Sequence, residues 1–192
     1  MSRSIVDRLV SFIGVVVGVA LLAASALLFY AHSYVHNQVS DQLTQQQVVF
    51  PAADSQAITS LPAADQTAMK QYAGQTMSTG AQAQTYADHF IKVHLAEVAG
   101  GQTYSQVSAK ALADPTNTQL AGQVQTLFRG ETLRGLLLNA YAWDTMATLA
   151  FIAAWVSLVA AVILFILAYF GQQHARRVEV TQEQPSRVPA HA

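Results

Sequence analysis

The segment DHFIKVHLAE, from Asp88 to Glu97, places two histidines, an aspartate and a glutamate within ten residues. Imidazole and carboxylate groups bind transition metals and exchange protons near neutral pH, so the segment suggests a metal site or a proton-transfer site. The alternative is one amphipathic helix that happens to carry histidines. The choice decides whether the chain is read as an enzyme or as a helical scaffold.

Helical spacing favours the amphipathic helix. At about 100° per residue, His89 and His94 lie about 140° apart, so one helix does not direct both at the same metal ion. Asp88 and Lys92 have the i, i+4 spacing of an ordinary surface ion pair. His94 falls within the apolar face, where two roles stay open: a core histidine hydrogen-bonded to a backbone carbonyl or a tyrosine, or a ligand or proton site.

A second candidate polar site combines residues that are distant in sequence. His32 and His36, spaced i, i+4, follow one long apolar segment, and Asp144 begins another. If the two segments pair, the three side chains meet at about the same level. A carboxylate beside an imidazole favours the protonated ring, so such a site would respond to pH. The alternative is that all three simply lie among lipid headgroups.

Sequence motifs of the common enzyme classes are not found. The chain has no G-x-S-x-G, P-loop, G-x-G-x-x-G or H-E-x-x-H pattern, and it has no cysteine for thiolate chemistry or disulfides. A two-histidine, one-carboxylate iron site would need His32 or His36 beside His94, and nothing in the sequence indicates that they converge. The net charge of −1 gives no basic footprint for nucleic acid. We therefore predict no enzymatic activity, no cofactor, no metal and no nucleic-acid partner.

Two long uncharged segments must position these side chains. No formal charge occurs between Arg8 and His32 or between Asp144 and His174, and each gap exceeds the ~20 residues of a membrane-spanning helix. We predict an all-α fold: a membrane helical hairpin with a helical extracytoplasmic domain between its two transmembrane helices. The predicted parts are a cytoplasmic N-terminus (1–8), transmembrane helices (9–30 and 143–170), the extracytoplasmic domain (31–142) and a disordered cytoplasmic tail (171–192).

Arginines decide the predicted orientation, because positive charge is retained on the cytoplasmic side. Five lie on the terminal flanks and two precede the second apolar segment: Arg3, Arg8, Arg176, Arg177 and Arg187 against Arg129 and Arg134. Both termini are therefore predicted in the cytoplasm of a bacterial cell, with residues 31–142 outside the plasma membrane. The first apolar run exceeds the ~7–15 residues of a signal-peptide core, which favours an uncleaved anchor over a cleaved signal.

Local signals outline the helices of the central region. The first long helix has no breaker before Pro51, so it is expected to continue outward as a stalk. Ser78 or Thr79 is expected to cap the helix that carries the histidines, and Thr103 to cap the next. Asp114 and Pro115 are predicted as the N-cap and first residue of a helix that runs unbroken to the second apolar segment.

Small residues mark the faces on which the membrane helices are expected to pack. Gly14 and Gly18 form a G-x-x-x-G motif, and the second segment has a ladder at Ala153, Ser157 and Ala161. Small side chains let helix backbones approach closely within a bilayer. The ladders either pack against each other within one hairpin or bind a second copy or a partner's helix.

Three segments carry a family resemblance: GAQAQTYADHFIKVHLAEVAGGQTYSQVS (80–108), DPTNTQL (114–120) and TLFRGETLRGLLLNAYAW (126–143). They resemble a family of small actinobacterial membrane proteins whose members are often labelled "aromatic ring-opening dioxygenase LigA". The resemblance covers most of the central domain and both apolar segments, and it implies a plasma-membrane hairpin. No ring-opening dioxygenase motif is matched, so no functional residue is carried over.

These observations give three hypotheses about function. The leading one is a non-enzymatic integral membrane protein of the cell envelope, an accessory, scaffold or interaction subunit. Its partners would be the lipid bilayer and either another protein or a second copy of the chain. The alternative is a ligand- or pH-sensing receptor module that acts through a partner. The third is the non-haem iron ring-opening dioxygenase that the family label names.

Overall fold

The computed structural model of the chain describes residues 3–183, and it describes side-chain surroundings for residues 6–177. Within that range the chain is all-helical, as predicted, with no β-strand beyond a single bridge between Val49 and Thr76. The chain divides into two compact units. We call Ser33–Thr148 the polar unit and Met1–His32 with Leu149–Ala192 the apolar unit.

Two long helices each have residues in both units. Helix α1 spans Arg3–Gln45 and helix α7 spans Thr118–Glu183. Both contain a stretch that is long and apolar enough to cross a membrane. The predicted disorder from residue 171 is wrong as far as Glu183, because α7 continues through good helix formers such as glutamine, alanine and arginine. Residues 184–192 of that predicted tail lie outside the described residues.

Short helices fill the polar unit between α1 and α7. In chain order they are α2 (Gln56–Thr59), α3 (Ala63–Lys70), α4 (Gly80–Tyr86), a π-helical turn (Ala87–Ile91), α5 (Lys92–Val98) and α6 (Tyr104–Ala113). Helices α4, the π-helical turn and α5 follow one another without a break, so the histidine-bearing segment is one helix with a widened turn in its middle.

The predicted caps are correct for two helices and wrong for a third. Thr79 and Thr103 each form a capping box with the glutamine three residues later, at the starts of α4 and α6. Asp114 does not begin α7. Its carboxylate instead accepts hydrogen bonds from the side chains of Thr116 (3.0 Å) and Asn117 (3.3 Å). Asn117 caps the helix by accepting from the Leu120 N–H at 3.1 Å, so α7 starts at Thr118.

One hydrophobic core holds the polar unit together. Its fully buried side chains come from the loops, the short helices and α7: Phe50, Ile58, Met69, Met77, Val107 and Leu127. The Phe50 ring contacts Tyr72 and Tyr86, with ring centroids 5.4 and 5.3 Å apart. Because each short helix is too short to be stable alone, this shared core is what orders them.

Tyr86 makes the stability of the polar unit sensitive to alkaline pH. Burial raises the pKa of its phenol above the ordinary value of 10.0, since the charged form is poorly solvated there. The unfolded chain therefore loses this proton at a lower pH than the folded chain does. The contribution of Tyr86 to the free energy of unfolding is intact below about pH 10 and is lost as pH rises through the folded-state pKa. Between pH 9 and 11, we expect the melting temperature of Tyr86→Phe to fall less than the melting temperature of wild type. Equal slopes for the two proteins would contradict this.

In the apolar unit, α1 and α7 run antiparallel and pack through small residues. Four alanines of α7, spaced seven residues apart, are each at most 4% exposed: Ala154, Ala161, Ala168 and Ala175. Facing residues on α1 include Gly14, where an added Cβ would lie 3.7 Å from Ala168 Cβ. The Ser25 hydroxyl donates a hydrogen bond to the Ala154 carbonyl at 2.9 Å. This spacing is that of a left-handed supercoil with very close helix axes.

The structure corrects the predicted ladder in α7. Ala161 is buried as expected, but Ser157 is only half-buried and Ala153 is exposed. A four-residue step turns about 40° past a full turn, so an i, i+4, i+8 ladder drifts off the contact, whereas a seven-residue step falls only about 20° short. Gly18 faces Phe165 of the same chain, where an added Cβ would lie 2.9 Å from the ring. Gly14, Gly18 and Ala161 thus pack within the chain.

Candidate functional site

Asp144 lies at the centre of a polar cluster in the polar unit. One carboxylate oxygen accepts a hydrogen bond from His36 Nδ1 at 2.8 Å, and the other accepts from the Gly80 backbone N–H at 3.0 Å. The carboxylate thereby joins α1, α7 and the start of α4. The side chain of Asp144 is 15% exposed and that of His36 is 45% exposed, so the cluster is open to solvent on the histidine side.

Local sequence explains why α4 starts at this point. The Thr79 hydroxyl accepts from the Gln82 N–H at 3.3 Å, and the Gln82 side chain accepts from the Thr79 N–H at 3.1 Å. The N–H of Gly80, in the first turn, has no partner within its own helix, and Asp144 supplies one. Glycine is required because α7 is so close: an added Cβ would lie 2.5 Å from Asp144 Cβ.

The chemistry of this cluster is that of a structural link. An ionised carboxylate only accepts hydrogen bonds, so the Nδ1 of His36 carries the proton in this contact. The cluster therefore connects three helices, α1, α4 and α7.

We expect Asp144→Ala to lower the free energy of unfolding by about 2 kcal/mol, because it leaves the buried Gly80 N–H without an acceptor. Asp144→Asn keeps an acceptor oxygen and should cost about 1 kcal/mol. His36→Ala should cost about 0.5 kcal/mol, because the histidine is partly solvated. Thermal melts of the three variants in one neutral detergent test this order. A His36→Ala loss as large as that of Asp144→Ala would show that the histidine contact, not the backbone contact, dominates.

The other two histidines of the predicted polar site each contact a phenylalanine ring. His94 donates from Nδ1 to the Phe90 carbonyl at 2.8 Å and lies against the Phe90 ring, with centroids 4.4 Å apart. This is the hydrogen bond to a backbone carbonyl that the apolar-face position allowed. His32 belongs to the apolar unit, where its ring centroid lies 4.8 Å from that of Phe151. Of the predicted trio, the structure brings His36 and Asp144 together.

Two ion pairs in the polar unit were not predicted from the sequence. His89 Nδ1 contacts Asp65 at 2.7 Å, and Arg134 contacts Asp88 at 2.8 Å. The expected Asp88–Lys92 pair is therefore replaced by an Asp88–Arg134 pair. Turns from Ala87 to Ile91 are π-helical, with hydrogen bonds between residues five apart, so the 100° step fails there. Arg134 also reaches Glu131, three residues earlier on the same helix, at 3.6 Å.

An open cleft of about 600 Å³ lies beside these ion pairs. Its floor is apolar, with Val93 and Ala96 of α5 among the lining residues. Asp65, Asp88 and Glu97 line it together with one cation, Lys92. We call this feature the acidic cleft. No pattern in the sequence identified it, because α3 and α5 are brought together only by the common core.

Metal chemistry and known relatives supply no further assignment. Among residues 6–177, no group of three or more histidine, aspartate or glutamate side chains has an arrangement that would hold a metal ion. No protein-family model, curated protein sequence or solved structure matches the chain. Any proposal about function must therefore come from the geometry of the two units.

Proposed function

We propose that the chain is a non-enzymatic membrane protein whose apolar unit spans the bilayer as a helical hairpin and whose polar unit docks a protein partner outside the plasma membrane. It would serve as an accessory or scaffold subunit in the cell envelope. The single observation that carries the proposal is the exposed apolar surface of the helix pair.

That surface argues for lipid as its natural solvent. Only 11% of the most apolar window of each long helix is buried, so neither resembles the core helix of a water-soluble protein. Large apolar side chains point outward all along the pair, among them Phe12 (65% exposed), Leu27 (70%) and Val156 (64%). Exposing a contiguous apolar surface of this extent to water is unfavourable for a monomer, whereas contact with the hydrocarbon of a bilayer is favourable.

Charge supports the proposed orientation. Arg8, Arg176 and Arg177 lie beyond the same end of the apolar stretch of the antiparallel helix pair, and positive residues are retained on the cytoplasmic side. Both termini would then lie in the cytoplasm and the polar unit outside. Cysteine accessibility after Ser105→Cys in intact cells tests this, since an outside position is labelled by a membrane-impermeant maleimide.

The acidic cleft is the proposed docking surface. Its apolar floor favours burial of an aliphatic or aromatic side chain. Its three carboxylates are set against two cations, Lys92 in the lining and the Arg134 that pairs with Asp88, and the remaining negative charge favours a neighbouring cation. We therefore propose that it binds a partner segment carrying Lys or Arg next to an apolar residue. Polar residues elsewhere in the unit, such as His36 and Asp144, serve as links between helices.

Affinity purification of the tagged full-length chain from its native membranes, with mass spectrometry of the co-purifying proteins, tests the proposal. We expect a stoichiometric partner with wild type. Ala96→Arg, which fills the cleft and adds positive charge, should remove it. Ala109→Arg, at an exposed position of α6, is the matched control and should retain it. A chain that purifies alone, or a partner unaffected by Ala96→Arg, would contradict docking at the cleft.

A pH-sensing receptor module is the second candidate, and the contact of His36 with Asp144 favours it. A sensor of this kind would change its partner binding across the range in which histidine titrates, about pH 5 to 8. The same co-purification at the two pH limits tests it, with His36→Gln as the variant that should abolish any difference. Partner binding that is equal at both limits would exclude this role.

A further inference from the structure

A surface of the polar unit has chemistry that is complementary to the acidic cleft. Among the five lysine and arginine residues of this unit, Arg129 directly follows Phe128, whose side chain is 59% exposed. The Phe128 ring lies against that of Tyr104, with centroids 6.1 Å apart, and Tyr104 is itself 38% exposed. We call Tyr104, Phe128 and Arg129 the aromatic–arginine patch. Exposed aromatic side chains beside an arginine are typical of the centres of protein interfaces.

Both surfaces hold a charged side chain that is available for an ion pair. In the acidic cleft, the two aspartates already have partners within the chain. Within residues 6–177, by contrast, neither the Glu97 carboxylate nor the Arg129 guanidinium group forms a hydrogen bond or an ion pair. Both residues are exposed. A carboxylate and a guanidinium group match each other in charge and in the geometry of two parallel hydrogen bonds.

The acidic cleft and the aromatic–arginine patch lie at the same level along α7. Gln123 donates a hydrogen bond from Nε2 to the Val98 carbonyl at 3.1 Å, and Arg134 contacts Asp88 at 2.8 Å. The π-helical turn and α5 therefore run beside the stretch of α7 that contains the patch. In copies inserted into one bilayer with the same orientation, the cleft of one copy and the patch of the next would be at the same height.

The two surfaces face different directions around α7. At about 100° per residue, Phe128 lies roughly 140° from Gln123 and roughly 120° from Arg134, the two positions that contact the cleft segment. The patch of one chain is therefore directed away from its own cleft and is accessible to a neighbour. A contact between cleft and patch is then head to tail, and it would build rows or rings of copies rather than closed two-fold pairs.

We propose that a second copy of this chain occupies the acidic cleft, with its Phe128 on the apolar floor and its Arg129 paired with Glu97. The cleft volume of about 600 Å³ leaves room for a phenyl ring and a guanidinium group. The ring would bury apolar surface against Val93 and Ala96, and the ion pair would fix its position. This inference rests on the proposed docking role of the cleft, and it makes the docked partner another copy of the chain.

Co-purification of an untagged copy with a tagged full-length copy, both expressed in one cell and extracted in a mild neutral detergent, measures the contact. Arg129→Glu or Glu97→Arg, made in both copies, should reduce the recovered untagged chain by at least about tenfold, because each change places like charges opposite each other. The double variant has opposite charges again, so it should recover the untagged copy. Lys110→Glu, a charge reversal at an exposed position of α6, is the matched control and should retain it.

Three outcomes would overturn the inference. In the first, no untagged copy is recovered with wild type; a different protein that co-purifies and is lost with Ala96→Arg would then preserve the proposed function, whereas a chain without any partner would remove both. Recovery of the untagged copy with every variant would assign self-association to another surface. A double variant that recovers no untagged copy would exclude the pairing of Glu97 with Arg129.

Discussion

Gly80→Ala should lower the free energy of unfolding of the protein by about 3 kcal/mol, as expected when a side chain is forced into a closely packed contact. An alanine Cβ at this position would lie 2.5 Å from Asp144 Cβ, 2.8 Å from its Oδ2 and 3.0 Å from Tyr141 Cα. The last of these atoms is backbone within a long helix and does not move independently. Helix α4 must therefore withdraw from α7, and the hydrogen bond from Gly80 to Asp144 is lost with it.

Thermal melts in a neutral detergent measure this effect, with an expected fall of roughly 6–12 °C for a chain of this size. Gly135→Ala is the matched control, since an added Cβ there meets nothing within 4 Å. Because alanine favours helix over glycine, the control should be stabilised by up to about 1 kcal/mol. A Gly80→Ala protein with the same melting temperature as the control would show that α4 does not pack closely on α7.

Ala161→Leu should destabilise the helix pair by about 3 kcal/mol, whereas Ala153→Leu should have almost no effect. Both changes add the same atoms to the same helix. Ala161 is fully buried in the contact between α1 and α7, and Ala153 faces outward. The added side chain is forced between two helices in the first case and enters the surrounding lipid or detergent in the second.

Tryptophan fluorescence in a Trp143→Phe background follows the helix pair during thermal unfolding. The remaining tryptophan, Trp155, lies in the pair with its ring 5.5 Å from that of Phe29. We expect a lower melting temperature only for Ala161→Leu. Equal effects of the two variants would support the four-residue ladder, in which both alanines belong to one packing face. A lower melting temperature confined to Ala153→Leu would show that Ala153, and not Ala161, lies in the contact between α1 and α7.

The proposed function depends on these two contacts in different ways. The Gly80 contact keeps the acidic cleft on an ordered unit, because α4 leads directly into the π-helical turn and α5 that line it. The Ala161 contact keeps the two apolar segments paired. Weakened partner binding in Gly80→Ala, with unchanged partner binding in Ala161→Leu, would assign partner binding to the polar unit.

Sequence alone was sufficient for the features that depend on local chemistry. The uncharged stretches after Arg8 and Asp144 determine two long apolar helices, because nothing in them is compatible with a water-exposed loop. Threonine followed three residues later by glutamine determines the caps at Thr79 and Thr103, since the capping box is a reciprocal hydrogen bond within four residues. The all-α class follows from these signals together.

Tertiary structure decided which residues meet. The π-helical turn redirects Asp88 from Lys92 to Arg134, and periodicity at 100° per residue contains no sign of an inserted residue. The packing face of α7 follows Ala154 rather than Ala153, because a seven-residue step stays closer to the contact line than a four-residue step does. The closeness of α4 to α7 explains Gly80. Each of these depends on a second element whose position no local sequence pattern encodes. For that reason the sequence determined the helices, while packing determined the cleft.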